Sequence, residues 1–232
     1  DVYKKMAMSI YGINRAEDVT KDQRFVGKTT ILGAGYGMGA PRFKDQLRSL
    51  GFAMKLEEAR RIIKVYRDTN DKISGLWRDA GDMLFYLAQG DATDFGKSYV
   101  FNVEPKLSAL RLPSGLLMRY DDLALTKDET TGNSEYTYKT RRGRTRIYGG
   151  KVVENVCQAV ARCIIGEQML KIAKQYRTVL TVHDSVVCCV PETEVPKAQA
   201  YIESCMRWTP DWAAGLPVNC ESGIGKSYGD CE

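Results

Sequence analysis

The chain has 232 residues, 44% hydrophobic and 27% charged, with a formal net charge of +5 at pH 7. That length can bury a core in one large or two small domains. No apolar run approaches the roughly 20 residues that cross a bilayer, and no signal peptide opens the chain, so we expect a globular protein in the cytoplasm without a membrane partner. Seven cysteines with no CxxC pair, beside a single histidine, argue against structural zinc and a disulfide framework. The chain opens on Asp1 rather than Met, which suggests a piece of something longer.

Val2, Met6 and Ile10 recur at helical spacing before Gly12 and predict a helix over residues 1 to 11. Thr20 and Gln23 form a capping-box pattern that starts a second helix. From there Arg24, Lys28, Leu32 and Tyr36 recur every fourth residue; each step drifts only about 40° around a helix, so the four are expected on one face. A helix N-terminus is already electropositive, so an Arg and a Lys on its first turns suit an anion such as a nucleotide triphosphate; a solvated cationic face is the alternative. Gly27-Lys28-Thr29 matches the end of a phosphate-binding P-loop, but Asp22 stands where that loop needs its first glycine and no buried strand precedes it.

Pro41 suits the first turn of a third helix ending at Gly51. Leu56 to Tyr66 and Ile73 to Leu87 carry the apolar stripes of two more, the last stopped by Gly90. Beyond Gly96 short β-like runs follow: Ser98 to Val103, Leu107 to Leu112, and Leu116 to Tyr120 after the turn signal Pro113-Ser114-Gly115. Residues 121 to 134 read as a polar loop. Tyr136, Tyr138 and Ile147 then flank a basic turn, where Lys139, Arg141, Arg142, Arg144, Arg146 and Lys151 form a cluster that attracts phosphate backbones. A long helix is predicted from Val152 to about Tyr176, then a hairpin of residues 179–182 and 186–190 with His183-Asp184-Ser185 at its tip, a helix from Glu194 to Trp208, and a strand near Leu216 to Glu221. Asp184, held between two apolar strands, is a candidate oxygen ligand for Mg²⁺, although Asp and Ser are also ordinary turn residues. A two-metal site needs at least two convergent carboxylates, and no second acidic residue stands at an evidently matching strand end.

Taken together and in order, these stretches resemble family A DNA polymerases of the bacterial DNA polymerase I and bacteriophage type. Arg24, three residues, Lys28, then seven residues to Tyr36-Gly37 is similar to the family's nucleotide-binding motif. Tyr148-Gly149-Gly150-Lys151 through Gln158-Ala159 resembles the palm helix whose glutamine faces the primer-template minor groove, and Val182-His183-Asp184-Ser185 resembles the catalytic palm turn. The close Gly223-Ile224-Gly225-Lys226-Ser227-Tyr228-Gly229 is similar to that of phage members.

The resemblance implies an α+β right-hand polymerase fold, with helical fingers on residues 1–141 and the C-terminal palm on residues 142–232. It implies template-directed DNA synthesis with primer-template DNA and dNTPs as partners and two Mg²⁺ ions in the complete enzyme; it names no processivity partner. Arg24 and Lys28 would hold the triphosphate, with Tyr3, Leu32 and Tyr36 completing the dNTP site. Asp184 would bind metal, His183 would lie beside the primer terminus, and Gln158, Arg141, Arg142, Arg144 and Arg146 would touch DNA. Four departures matter. The first catalytic motif, with its Asp and a Glu that reads the sugar, is expected upstream of Asp1, so the chain alone should not polymerise efficiently. Leu32 replaces a Phe or Tyr, which weakens stacking on the nucleotide, Ser185 stands where Glu is common, and Tyr3 where His is common.

Overall fold

A computed structural model describes residues 1–95, 102–129 and 132–231. The architecture is α+β, as the sequence leads one to expect: seven α-helices and three small sheets are present among the described residues. Two compact units divide the chain, one of Asp1–Phe95, Val103–Ala109 and Arg119–Asn155, the other chiefly of Leu110–Met118 and Val156–Glu232. No helix among the described residues is long and apolar enough to cross a membrane.

The first unit is led by α1 (Val2–Tyr11), α2 (Lys21–Ala34), α3 (Ala40–Ser49), α4 (Leu56–Thr69) and α5 (Asp71–Gln89). The predicted capping box is present: Gln23 N donates to Thr20 Oγ1 at 3.2 Å and Thr20 N to Gln23 Oε1 at 2.9 Å. Such a cap stabilises a helix by about 1 kcal/mol. Buried Met6, Ile10, Val26, Phe43, Leu47, Ile62 and Tyr66 form one core between the first four helices. The closest approach falls at Gly27, where a Cβ would overlap the Tyr3 carbonyl oxygen. Glycine is therefore the residue that lets α2 cross directly over α1.

Helix α2 stops at Ala34, and Gly37 takes a left-handed φ of +83°. Tyr36 thus sits in the turn after the helix rather than on the face shared by Arg24, Lys28 and Leu32, because the glycines at 35 and 37 end the helical ladder before the fourth repeat.

Residues 102–119 hold β1 (Asn102–Glu104), β2 (Ala109–Arg111) and β3 (Leu117–Arg119), in the order β1-β2-β3; the opening of the predicted Ser98–Val103 run lies outside the described residues. The expected loop at 121–134 instead contains a strand, β4 (Ala124–Lys127), antiparallel to β5 (Ser134–Thr140), with Ala124 opposite Thr137 and Lys127 opposite Ser134. Pairing with a neighbour overrode weak local β-propensity here. The basic hairpin is present as β5 and β6 (Gly143–Ile147), with Thr140 opposite Gly143.

Helix α6 runs from Gly149 to Ile172, three residues earlier than Val152 and shorter than predicted at its end. In the second unit, β7 (Thr178–Val182) and β8 (Ser185–Cys188) form the hairpin, and α7 covers Val195–Arg207. Val182 pairs with Ser185, so the tip is the two residues His183-Asp184. Ile172, Tyr176, Ala198 and Cys205 form the core of this unit, with Val186 and Cys188 against it. Fully buried Gln168 fastens the end of α7, its Nε2 donating to the carbonyls of Met206 at 2.7 Å and Trp208 at 2.9 Å. The strand expected near Leu216–Glu221 is absent: Pro217 cannot donate to a ladder, and side chains tether the segment instead, through Arg207 Nε to Asn219 Oδ1 at 3.0 Å and Ser222 Oγ to Glu203.

Candidate nucleotide and DNA site

The crossing of α1 and α2 brings three residues predicted from sequence into one cluster. The Arg24 guanidinium lies 5.3 Å from the Tyr3 ring centroid and the Lys28 ammonium 6.0 Å from it, over the same ring. Asp1, which the sequence reading missed, holds the group together. One carboxylate oxygen accepts from Tyr3 N at 3.0 Å and Lys4 N at 3.2 Å, capping α1, and the other accepts from Arg24 Nε at 2.7 Å. Beyond the Tyr3 ring, the Arg24 terminal nitrogens and the exposed Lys28 ammonium have no hydrogen-bond or ion-pair partner among the described residues. The geometry is that of a cationic fork presented for an anion: Asp1 occupies the Nε edge and leaves the two-nitrogen edge for a bidentate oxyanion. The capping signal of an Asp before a helix was legible in the sequence; its second contact, 23 residues away, was not.

Lys28 projects to solvent from the middle of a regular helix whose Gly27 is pressed against α1. The Gly27-Lys28-Thr29 amides therefore belong to the helical ladder and do not cradle a phosphate, which removes the P-loop reading. Leu32 is 52% exposed on the same side chain row.

Two further motifs meet at the end of α2. The Tyr36-Gly37 turn abuts Gly150, where a Cβ would overlap the Tyr36 carbonyl oxygen, and Gly149 is pressed in the same way against the Trp77 carbonyl of α5. Trp77 Nε1 donates to Gly35 O at 3.2 Å and locks this turn. The paired glycines are what allow the start of α6 to lie against both elements.

The basic hairpin divides its arginines. Arg144, though exposed, is tethered to its sheet, with Nη1 on Asp122 Oδ2 at 2.6 Å and Nε on Thr137 Oγ1 at 2.8 Å. Arg146 pairs with Glu135 at 2.8 Å and lies over the Tyr148 ring at 5.9 Å. Arg141 and Arg142 stand exposed at the tip. The four thus differ in their freedom to meet a phosphate backbone.

Gln158, His183 and Asp184 belong to the second unit, and all three are exposed. His183 adopts a left-handed φ of +53° as the first residue of the two-residue turn, a position that glycine fills at lower cost. Close to the start of α6, Asn155 Nδ2 donates to Tyr120 Oη at 3.4 Å. Burial raises the Tyr120 phenol pKa well above its ordinary value.

A profile of DNA polymerase family A matches residues 1–230. The chain belongs to this family. It is 28% identical to the DNA polymerase of Bacillus phage SP02 over 238 residues, covering 98% of this chain and 36% of that protein. It is 23% identical to the DNA polymerase of Bacillus phage SP01, covering 99% of this chain and 22% of that one. The fold is similar to the POL domain of Pol1 from M. smegmatis in complex with DNA primer-template and dNTP, with a TM-score of 0.54 and 18% identity over 95% of this chain and 32% of that one. This member of family A thus spans about a third or less of the relatives it matches.

Proposed function

We propose that this chain supplies the fingers, residues 1–141, and the C-terminal palm, residues 142–232, of a longer polymerase that synthesises DNA on a template. This functional division crosses the two compact units. The observation that carries the reading is the cluster of Arg24 and Lys28 over Tyr3, with Asp1 on the Nε edge of Arg24.

In this reading the incoming dNTP lays its β- and γ-phosphates on Arg24 and Lys28, with Tyr3 beneath. The primer 3′-oxygen attacks the α-phosphorus, the bond to the bridging oxygen breaks, and pyrophosphate leaves. Negative charge grows on the leaving group, where the Arg24 fork and the Lys28 ammonium stabilise it, and Lys28 is placed to donate a proton. Leu32 lies beside the nucleotide base and Tyr36 beside the template base. His183 borders the primer terminus, Gln158 faces the minor groove, and the hairpin of Arg141, Arg142, Arg144 and Arg146 meets the DNA backbone.

Asp184 is a single carboxylate, and no group of three or more His, Cys, Asp or Glu side chains that could hold a metal occurs among the described residues. These residues alone do not fit the pair of Mg²⁺ ions that the family resemblance implies, so no step above runs through them. Asp184 contributes one ligand to a site completed from outside the chain.

The test is primer extension with Mg²⁺ and four dNTPs, comparing this chain with the same reading frame extended upstream, each with and without Asp184→Asn. We expect extension only from the longer form and its loss, by more than about 1,000-fold, on substitution. Equal activity of the short chain refutes the split site, and DNA binding without extension by the longer form favours a noncatalytic nucleic-acid-binding module.

A further inference from the structure

Helix α5 ends in two aromatic side chains that the core does not use. Phe85 and Tyr86, neighbours near its C-terminus, are 50% and 41% exposed. Their ring centroids lie 5.3 Å apart at an interplanar angle of 82°, which makes an open aromatic corner. Phe25, Phe43 and Phe52 of the same unit, by contrast, pack into the core.

Carboxylates surround this corner. Asp82 stands three residues before Phe85 and four before Tyr86, on their face of the helix, and helix side chains lean toward the N-terminus, so both rings lean over it. Asp79 lies one turn further back on that face. Past the helix, Gly90 takes a left-handed φ of +76° and the Asp91 amide donates back to the Tyr86 carbonyl at 2.9 Å, which returns Asp91 to the end of α5. All three aspartates are exposed, and no carboxylate of the three has an ion-pair or hydrogen-bond partner among the described residues. Arg78, four residues before Asp82, does not pair with it and lines a cleft with Arg67, Trp77 and Tyr148. Helices α3, α4, α6 and α7 each carry a cation in the last turn, Arg48, Arg67, Lys171 and Arg207, whereas α5 carries none. The negative end of the helix dipole and the carboxylates therefore add without a counter-charge.

This charge says what the corner receives. Nucleic acid does not suit it, because carboxylates repel phosphodiesters. A wholly apolar partner would cover the rings and leave carboxylates desolvated and unpaired. An arginine satisfies both halves: its guanidinium lies flat on an aromatic ring and turns a fork of donors to a carboxylate. We propose that the end of α5 is a docking surface for an arginine-bearing segment of another protein, with the guanidinium in the corner of Phe85 and Tyr86 and paired with Asp82. Asp79 and Asp91 draw the neighbouring cations of that segment. None of these residues belongs to the nucleotide or DNA contacts proposed above.

The probe is a fluorescein-labelled peptide of about six residues alternating arginine and leucine, and its counterpart carries citrulline for arginine, which keeps the shape and removes the charge. Fluorescence anisotropy measures the binding of both to the upstream-extended protein at about 50 mM and about 500 mM salt. The variants are Phe85→Ala with Tyr86→Ala, Asp79→Asn with Asp82→Asn and, as a control for charge, Asp18→Asn with Glu57→Gln, two exposed carboxylates elsewhere in the unit. We expect the arginine peptide to bind about tenfold more tightly than the citrulline peptide, and the aromatic pair of substitutions to weaken it by about tenfold. The Asp79 and Asp82 pair should weaken it by about fivefold, most at low salt, and the control should leave it unchanged. Each Tm should stay within about 2 °C of the wild type, so that a loss of binding reports the surface and not the fold. Unaltered affinity in the aromatic variant overturns the proposal, since the carboxylates would then act alone. So does an equal loss in the control, or a citrulline peptide that binds as tightly. Self-association of the wild type that disappears in the aromatic variant also overturns it, by assigning the corner to a second copy of the chain. Peptide binding that depends on the rings, in a protein that extends no primer, supports the surface and sinks only the polymerase reading.

Discussion

The α1–α2 pair and the β7–β8 hairpin carry the two halves of the candidate chemistry, and they are built in opposite ways. In the helix pair, Asp1, Tyr3, Arg24 and Lys28 converge over a glycine crossing backed by a continuous apolar core. In the hairpin, His183 and Asp184 stand at an exposed two-residue turn, and Val179 and Leu180 of β7 are 49% and 45% exposed. The first half is organised by its own packing. The second depends on local backbone strain at one residue. A cluster drawn from distant segments therefore gains rigidity from the helix crossing, whereas a turn must carry its geometry in two residues.

The largest expected effect comes from breaking the helix pair at its crossing. Gly27→Val forces a branched side chain into the Tyr3 backbone and should destabilise the chain by about 3 kcal/mol, near the upper end of overpacking costs. Thermal unfolding should show a lowered Tm, and binding of a fluorescent dNTP should weaken with it. An unchanged Tm would mean that α1 and α2 separate without cost, and the rigid half of the comparison would fall.

A smaller effect of opposite sign is expected in the hairpin. His183→Gly removes the β-carbon from a φ of +53° and should stabilise the chain by about 0.5–1 kcal/mol in denaturant titration. In the upstream-extended form it should nevertheless lower primer extension. A variant that is more stable and equally active would show that the strained histidine serves no function.

The smallest effect is expected at the cap. Asn caps a helix about as well as Asp, so Asp1→Asn should change stability little while removing the charge that holds Arg24 by its Nε. Since exposed ion pairs contribute at most about 1 kcal/mol, the dNTP KM of the extended protein should rise by a factor of about 2 to 5, with kcat nearly constant. A fall in kcat at constant KM would move Asp1 out of ground-state nucleotide binding.

Local signals were read correctly wherever a short pattern decides the structure. The Thr20–Gln23 capping box starts α2, Pro41 lies in the first turn of α3, and the basic turn joins β5 to β6. The errors lie where a neighbour decides. Residues 124–127 became a strand because β5 pairs with them, and the Leu216–Glu221 run, with Pro217 inside it, is tied to α7 by side chains. Tyr36 left the helical face because glycines ended α2 first.

By itself, the sequence determined the order of the helices, the cationic row of Arg24 and Lys28 and the polar hairpin tip that holds Asp184, since each depends on spacing within a few residues. Only the tertiary structure decided that Asp1 caps one helix while pairing with the next, that Arg144 is tied to Asp122 and Thr137 while Arg141 and Arg142 stand at the hairpin tip, and that Arg67 and Arg78 share a cleft with two aromatic rings. The physical reason is the same in each case. A charge acts through what lies within a few ångströms of it, and spacing along a chain does not specify those neighbours once helices cross and strands pair.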